Sequence, residues 1–151
     1  MARLKNVEVV LYTKPLCPFC AMLKDLVLKD LLKDRLIAER IPFYEVSLTD
    51  PLRLWNPLRR ISEERRGNVI DLRTGREIKV KNRDWSDVKD YAHLPVSTPM
   101  LEIRIYTDRR VDRIIFRGFL PFEMNPAEYQ KRVIYFKENL RGLLRSLAKM
   151  L

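Results

Sequence analysis

The sequence predicts a single α/β domain spanning residues 1–151, with a mixed central sheet flanked by helices. Three observations carry that expectation. A β-branched apolar run at residues 7–12 (VEVVLY) leads into a helical pattern and then into a second strand-like run at 41–48. Two more strand-like segments lie late in the chain, separated only by TDRR. A long amphipathic stripe closes the sequence. At 151 residues, 46% apolar and 33% charged, the chain can bury a core and lacks the composition of a disordered polymer.

Each element has a local reason. VEVVLY is apolar except at Glu8 and does not alternate, as suits a strand buried on both faces. TKPLCPFC then stops the strand, and Pro18 suits a first helical turn, where its missing N–H costs nothing. Leu23, Leu26, Val27, Leu31 and Ile37 recur at helical spacing, so one helix is expected from the cysteines to about Arg40, before Pro42. IPFYEVSL at 41–48 is the second strand, ended by Asp50–Pro51. In the middle segment, residues 58–66 read as helical with Gly67 as a stop, and NVIDLRTGREIKV reads as a hairpin turning at Thr74–Gly75. Asp84 would cap a short helix carrying Trp85, Val88 and Tyr91, with Asp87 as the capping-box acid. STPMLEIRIY and VDRIIFRGF form the third and fourth strands. Asn125 and Pro126 open the last helix, whose stripe is Tyr129, Val133, Phe136, Leu140, Leu143, Leu147 and Met150. That stripe faces the core. Its tail, with Leu143, Leu144, Leu147 and Leu151, also offers a surface for a homodimer.

The formal net charge is +10, yet Lys and Arg alternate with Asp and Glu, as in KDLLKDRLIAER, and no basic tail is present. A solvated charged surface is favoured over a basic face of a binding module for nucleic acid or an acidic protein, which stays the alternative. No apolar run approaches the ~20 residues needed to cross a bilayer. The N-terminus has a short apolar stretch and no small-residue cleavage site, so a cytoplasmic location is expected.

The chemistry points to the two cysteines, Cys17 and Cys20. A reducing compartment makes such a pair redox-active, metal-binding or inert rather than a stapling disulfide. Zinc normally takes four ligands, and His93 is the only histidine, so a zinc site would need a carboxylate or a second chain. At a helix N-terminus, unpaired N–H groups and the dipole favour a thiolate. Cys17, at the exposed end, is therefore the expected nucleophile, and Cys20, a turn further in, the resolving thiol. Lys14 adds positive charge nearby, and Phe19 between the cysteines is expected to line the substrate groove. His93 is expected as an exposed or capping residue, and Trp55 and Trp85 as packing anchors of the middle segment.

VVLYTKPLCPFCAMLKDLV, with Lys14 ahead of CPFC, and Ser97-Thr98-Pro99 before a strand, resemble the thioredoxin superfamily, and glutaredoxins within it. Gly118, ending the next strand before a last helix, is a third match. The resemblance covers about residues 6–50 and 95–145. It implies a thioredoxin-like fold with a central four-stranded sheet, and an insertion within about 51–97, between the second and third strands. It also implies a cis Pro99 facing the cysteines, with Thr98 and Pro99 contacting substrate. The implied activity is thiol–disulfide exchange on protein or glutathione disulfides, with no metal, nucleotide or flavin. Glutathione would enter only as co-substrate, and electrons would come from it or from a partner reductase. RGFLPFEMN lacks the Gly-Gly segment with which glutaredoxins often hold glutathione.

Overall fold

The computed structural model describes residues 3–13, 17–47, 68–78, 99–117 and 125–151. Strand β1 (Leu4–Thr13) lies at the centre of the sheet, and Val7, Val9, Val10, Leu11 and Tyr12 are all fully buried. Burial on both faces is why this stretch reads as a near-continuous apolar run, broken only by Glu8, rather than an alternation. Strand β2 (Phe43–Ser47) pairs with it in parallel, Val9 opposite Phe43 and Thr13 opposite Ser47. A parallel pair needs a crossover, and the helical segment between them supplies it.

That segment is not the single helix expected from the sequence. Helix α1 (Pro18–Leu23) continues through a π turn (Lys24–Leu28) into helix α2 (Lys29–Lys33). The wider turn carries the stripe from Leu23 to Val27 and Leu28 and leaves Leu26 outside the core, 42% exposed. Asp34 then breaks the helix with an extended ψ of 111°, and its carboxylate caps helix α3 (Arg35–Arg40) by accepting from the N–H groups of Leu36 (3.1 Å) and Ile37 (3.5 Å).

The hairpin expected around Thr74–Gly75 is present as β3 (Asn68–Asp71) and β4 (Arg76–Ile78), with Gly75 at φ +72°. It does not stand apart from the sheet. β3 pairs antiparallel with β2, covering the backbone groups that would otherwise form an open edge. Strands β5 (Met100–Thr107) and β6 (Val111–Arg117) add the other side: β5 is antiparallel to β1, and β6 to β5. Among the described residues the sheet is therefore six-stranded, in the order β4-β3-β2-β1-β5-β6, and the expected count of four is corrected. The hairpin itself is legible in NVIDLRTGREIKV; the four-stranded sheet implied by the resemblance leaves it out, whereas β3 joins the sheet at the edge of β2.

Helix α4 (Pro126–Lys149) begins where Asn125 accepts from Glu128 N (2.9 Å). The core lies between the helices and one face of the sheet. Val7, Val9, Leu11, Phe43, Leu101 and Ile103 rise from the strands to meet Leu23, Val27, Leu31, Val133, Leu140 and Leu144. Of the residues suggested for a dimer contact, Leu144 is fully buried in this core, while Leu143, Leu147 and Leu151 pack against it. Met150, expected in the stripe, is 67% exposed, and Leu144 and Ala148, one turn apart, face the core at this end.

Ion pairs fasten α4 to the crossover. Lys137 reaches Asp30 (2.7 Å), and Arg145 grips both oxygens of Asp34 (2.9 and 2.7 Å). The Lys137 ammonium holds the Asp30 carboxyl below its ordinary range. Burial pushes Asp34 upward, but its bonds to Arg145 and the Ile37 N–H outweigh that and lower it. At the chain end, Arg40 donates to the carbonyls of Ala148 (3.0 Å) and Leu151 (3.1 Å).

The opposite face of the sheet carries a polar chain. Tyr12 donates to Glu102 (3.1 Å), Arg104 pairs with Glu102 (3.2 Å) and donates to Tyr106 (2.9 Å), and Tyr106 donates to Glu8 (3.0 Å). Glu102 and Arg104 are 0% and 1% exposed, so each needs the other. Among the described residues no helix is long and apolar enough to cross a membrane.

Candidate active site

β1 delivers the chain to the sheet edge at Thr13, and Cys17 begins the helical run that returns across the sheet. Cys17 holds the N-cap position with extended backbone (φ −100°, ψ 102°). Its sulfur accepts from Cys20 N–H at 3.2 Å, filling the role an oxygen of Ser or Asp usually takes. Pro18 occupies the first helical position, as its lack of an N–H allows. The two cysteines are joined in a disulfide with Cα atoms 5.3 Å apart. Cys17 is partly exposed, whereas Cys20 is 4% exposed against the core. Exposure thus differs between the two residues in the sense expected from the sequence.

A cleft of about 470 Å³ opens beside the disulfide. One wall is helical, from Cys17, Cys20, Ala21 and Lys24, and the other comes from Thr13 and Glu45 on the strands. The parallel pair explains the second wall: the carboxyl ends of β1 and β2 point to this edge, where open α/β sheets place their ligands. Glu45 is only 8% exposed and fully engaged. Thr13 Oγ1 donates to it at 2.7 Å, and Lys24 Nζ approaches its two oxygens at 3.2 and 3.3 Å.

Pro99 is buried immediately before β5, and Met100 opposite Tyr12 sets it at the edge where β1 ends. The strand register thus brings Pro99 to the end of the sheet from which the Cys17–Cys20 segment departs. Phe19 is half-buried but does not line the cleft. At about 100° per residue, a helix that turns Cys17, Cys20, Ala21 and Lys24 to one side carries position 19 away from it. Lys14, Thr98, His93, Trp55, Trp85 and Gly118 lie outside the described residues, as do the helices expected at 58–66 and after Asp84, and the peptide joining Thr98 to Pro99.

Thr13, Lys24 and Glu45 were missed. Two signals pointed to them: Glu45 interrupts an apolar strand on the same face as Phe43, and Lys24 follows Cys20 by one helical turn. Among the described residues no cluster of three or more His, Cys, Asp or Glu is arranged to hold a metal ion. Compared with family models, curated proteins and solved structures, the chain matches none.

Proposed function

We propose that this protein is a thiol–disulfide oxidoreductase of thioredoxin-like architecture, working through Cys17 and Cys20. The observation that carries the reading is the disulfide at the start of a helical run, lining a cleft, with Cys17 partly exposed and Cys20 buried. Apart from the β3–β4 hairpin, the order strand, helical run, strand, then two antiparallel strands and a helix also supports it.

The disulfide form is the oxidised state. Two electrons from a thiol donor, glutathione or a partner reductase, return it to the dithiol. The Cys17 thiolate then attacks one sulfur of a substrate disulfide, forming a mixed disulfide and releasing the other substrate sulfur as a thiolate. The N–H of Cys20, aimed at the Cys17 sulfur, stabilises the attacking thiolate along with the helix dipole. Next the Cys20 thiolate attacks Cys17 Sγ, expels the second substrate thiolate and restores the Cys17–Cys20 bond. Cys20 must lose its proton first. Glu45, bonded to Lys24 and Thr13, lines the same cleft and would receive it.

The test is reduction of insulin disulfides or of a glutathione mixed disulfide with dithiothreitol as electron source. Wild type accelerates the reaction and Cys17→Ser does not. Equal rates for the two proteins would overturn the assignment.

A further inference from the structure

Lys24 lines two hollows. One is the disulfide cleft, and the other, of about 210 Å³, lies further along the helical run between Leu28, Leu32 and Leu72. The Lys24 side chain is the wall they share. We propose that the second hollow is a substrate subsite that takes a neutral apolar side chain of a polypeptide disulfide substrate while its cysteine engages Cys17. The proposal rests on reading Cys17 and Cys20 as an exchange dithiol, and it adds which disulfides the protein prefers.

Three features support it. First, the wall opposite the helix is built rather than accidental. Leu72 opens the turn of the β3–β4 hairpin, where solvent-facing polar residues are the rule. Its N–H donates to Phe43 O (2.8 Å), and the turn is pinned by Gly75 N–H to Asp71 O (2.7 Å) and by Arg73 to Ala38 O (3.1 Å). The hairpin thus carries an apolar side chain back toward the helix layer.

Second, the charges around the hollow are spent on one another. Lys29 pairs with Asp25 (3.1 Å) and Lys24 with Glu45 (3.2 Å). What remains for a ligand is the leucine surface, which favours a neutral apolar group over a charged one.

Third, the reach suits an extended chain. Cys20, Lys24, Leu28 and Leu32 follow one another at four-residue steps. At about 1.5 Å per helical residue, Leu28 lies roughly 12 Å along from Cys20, which about four residues of extended peptide span. A small disulfide fills only the first hollow, whereas a polypeptide reaches both.

The experiment uses synthetic peptides carrying one cysteine as a glutathione mixed disulfide. A leucine stands three, four or five residues to either side, and serine replaces it in matched controls. For wild type, the best leucine peptide should exceed its serine control about tenfold in kcat/KM. In Leu32→Ser and in Leu72→Ser that ratio should fall below about twofold; because each variant is compared with itself, a general loss of folded protein cancels. Wild type reducing leucine and serine peptides equally at every spacing would overturn the subsite and leave the exchange reading intact. A preference that persists unchanged in both variants would overturn it as well. If wild type reduces no peptide at all, the exchange reading itself fails.

Discussion

Replacing Asp34 tests how the crossover is held to the last helix. Its carboxylate does two separable jobs: it caps α3, and it pairs with the last helix, through two bonds from Arg145 and a longer contact from Arg141 at 3.6 Å. Loss of an N-cap to alanine costs about 1 kcal/mol. The Asp34 side chain is 8% exposed and Arg145 42%, so the pair is half-screened and contributes about 1–2 kcal/mol rather than the larger value of a buried pair. Asp34→Ala should therefore lose about 2–3 kcal/mol, and Asp34→Asn, which retains a capping oxygen, about 1–2 kcal/mol. For a chain of this length those losses lower Tm by about 5–10 °C and 3–6 °C.

The charge also predicts a pH dependence. Asp34 is held below the ordinary value of 3.8, so its contribution is present above that value and is lost as pH falls through the folded-state pKa. The gap between wild type and Asp34→Asn, measured by urea unfolding followed by circular dichroism, should narrow below about pH 4. A cycle with Arg145→Met should return a coupling of about 1–2 kcal/mol. Equal losses for the alanine and asparagine variants, with a gap indifferent to acid, would refute the assignment of the charge.

Gly75→Ala should cost about 1 kcal/mol in urea unfolding, because φ is +72° while an added Cβ meets nothing within 4 Å, so only backbone strain is charged. Gly75→Asn should cost less, since asparagine tolerates that region. Arg104→Met removes the guanidinium that pairs with buried Glu102 and should destabilise by about 3–5 kcal/mol, whereas Arg104→Met combined with Glu102→Leu should recover much of the loss in thermal melts. Cys20→Ser should accumulate a covalent adduct with a disulfide substrate, visible by intact mass and removed by dithiothreitol, because attack by Cys17 proceeds while resolution does not.

What could be read from the chain follows the range of the forces involved. Local signals placed β1, β2, the Thr74–Gly75 hairpin, β5, β6 and the start of α4 at Asn125–Pro126, because strand burial, turn geometry and capping act within a few residues. The same locality found Cys17 at a helix start. Two features escaped. The break at Asp34 is stabilised by Arg145, more than a hundred residues away, and nothing in KDLLKDRLIAER announces that partner. The pairing of β3 with β2 likewise depends on which edge is open, a property of the assembled sheet. In the site, Glu45 was visible as an acid inside an apolar strand. Its importance appears only when parallel pairing brings it across from Lys24 and beside the cysteines.

The π turn at Lys24–Leu28 has a consequence for changes in chain length. Loss of one residue from an ordinary helix rotates everything beyond it by about 100° and carries the buried stripe out of the core. Here the wide turn already stores a surplus residue, and Leu26 is the side chain it leaves outside. Removing Leu26 lets the turn close to α-helical winding, with the cysteines on one side and Leu31 and Asp34 on the other keeping their facings. Within the helix layer, this turn is where the crossover can shorten by one residue and still meet the sheet in register.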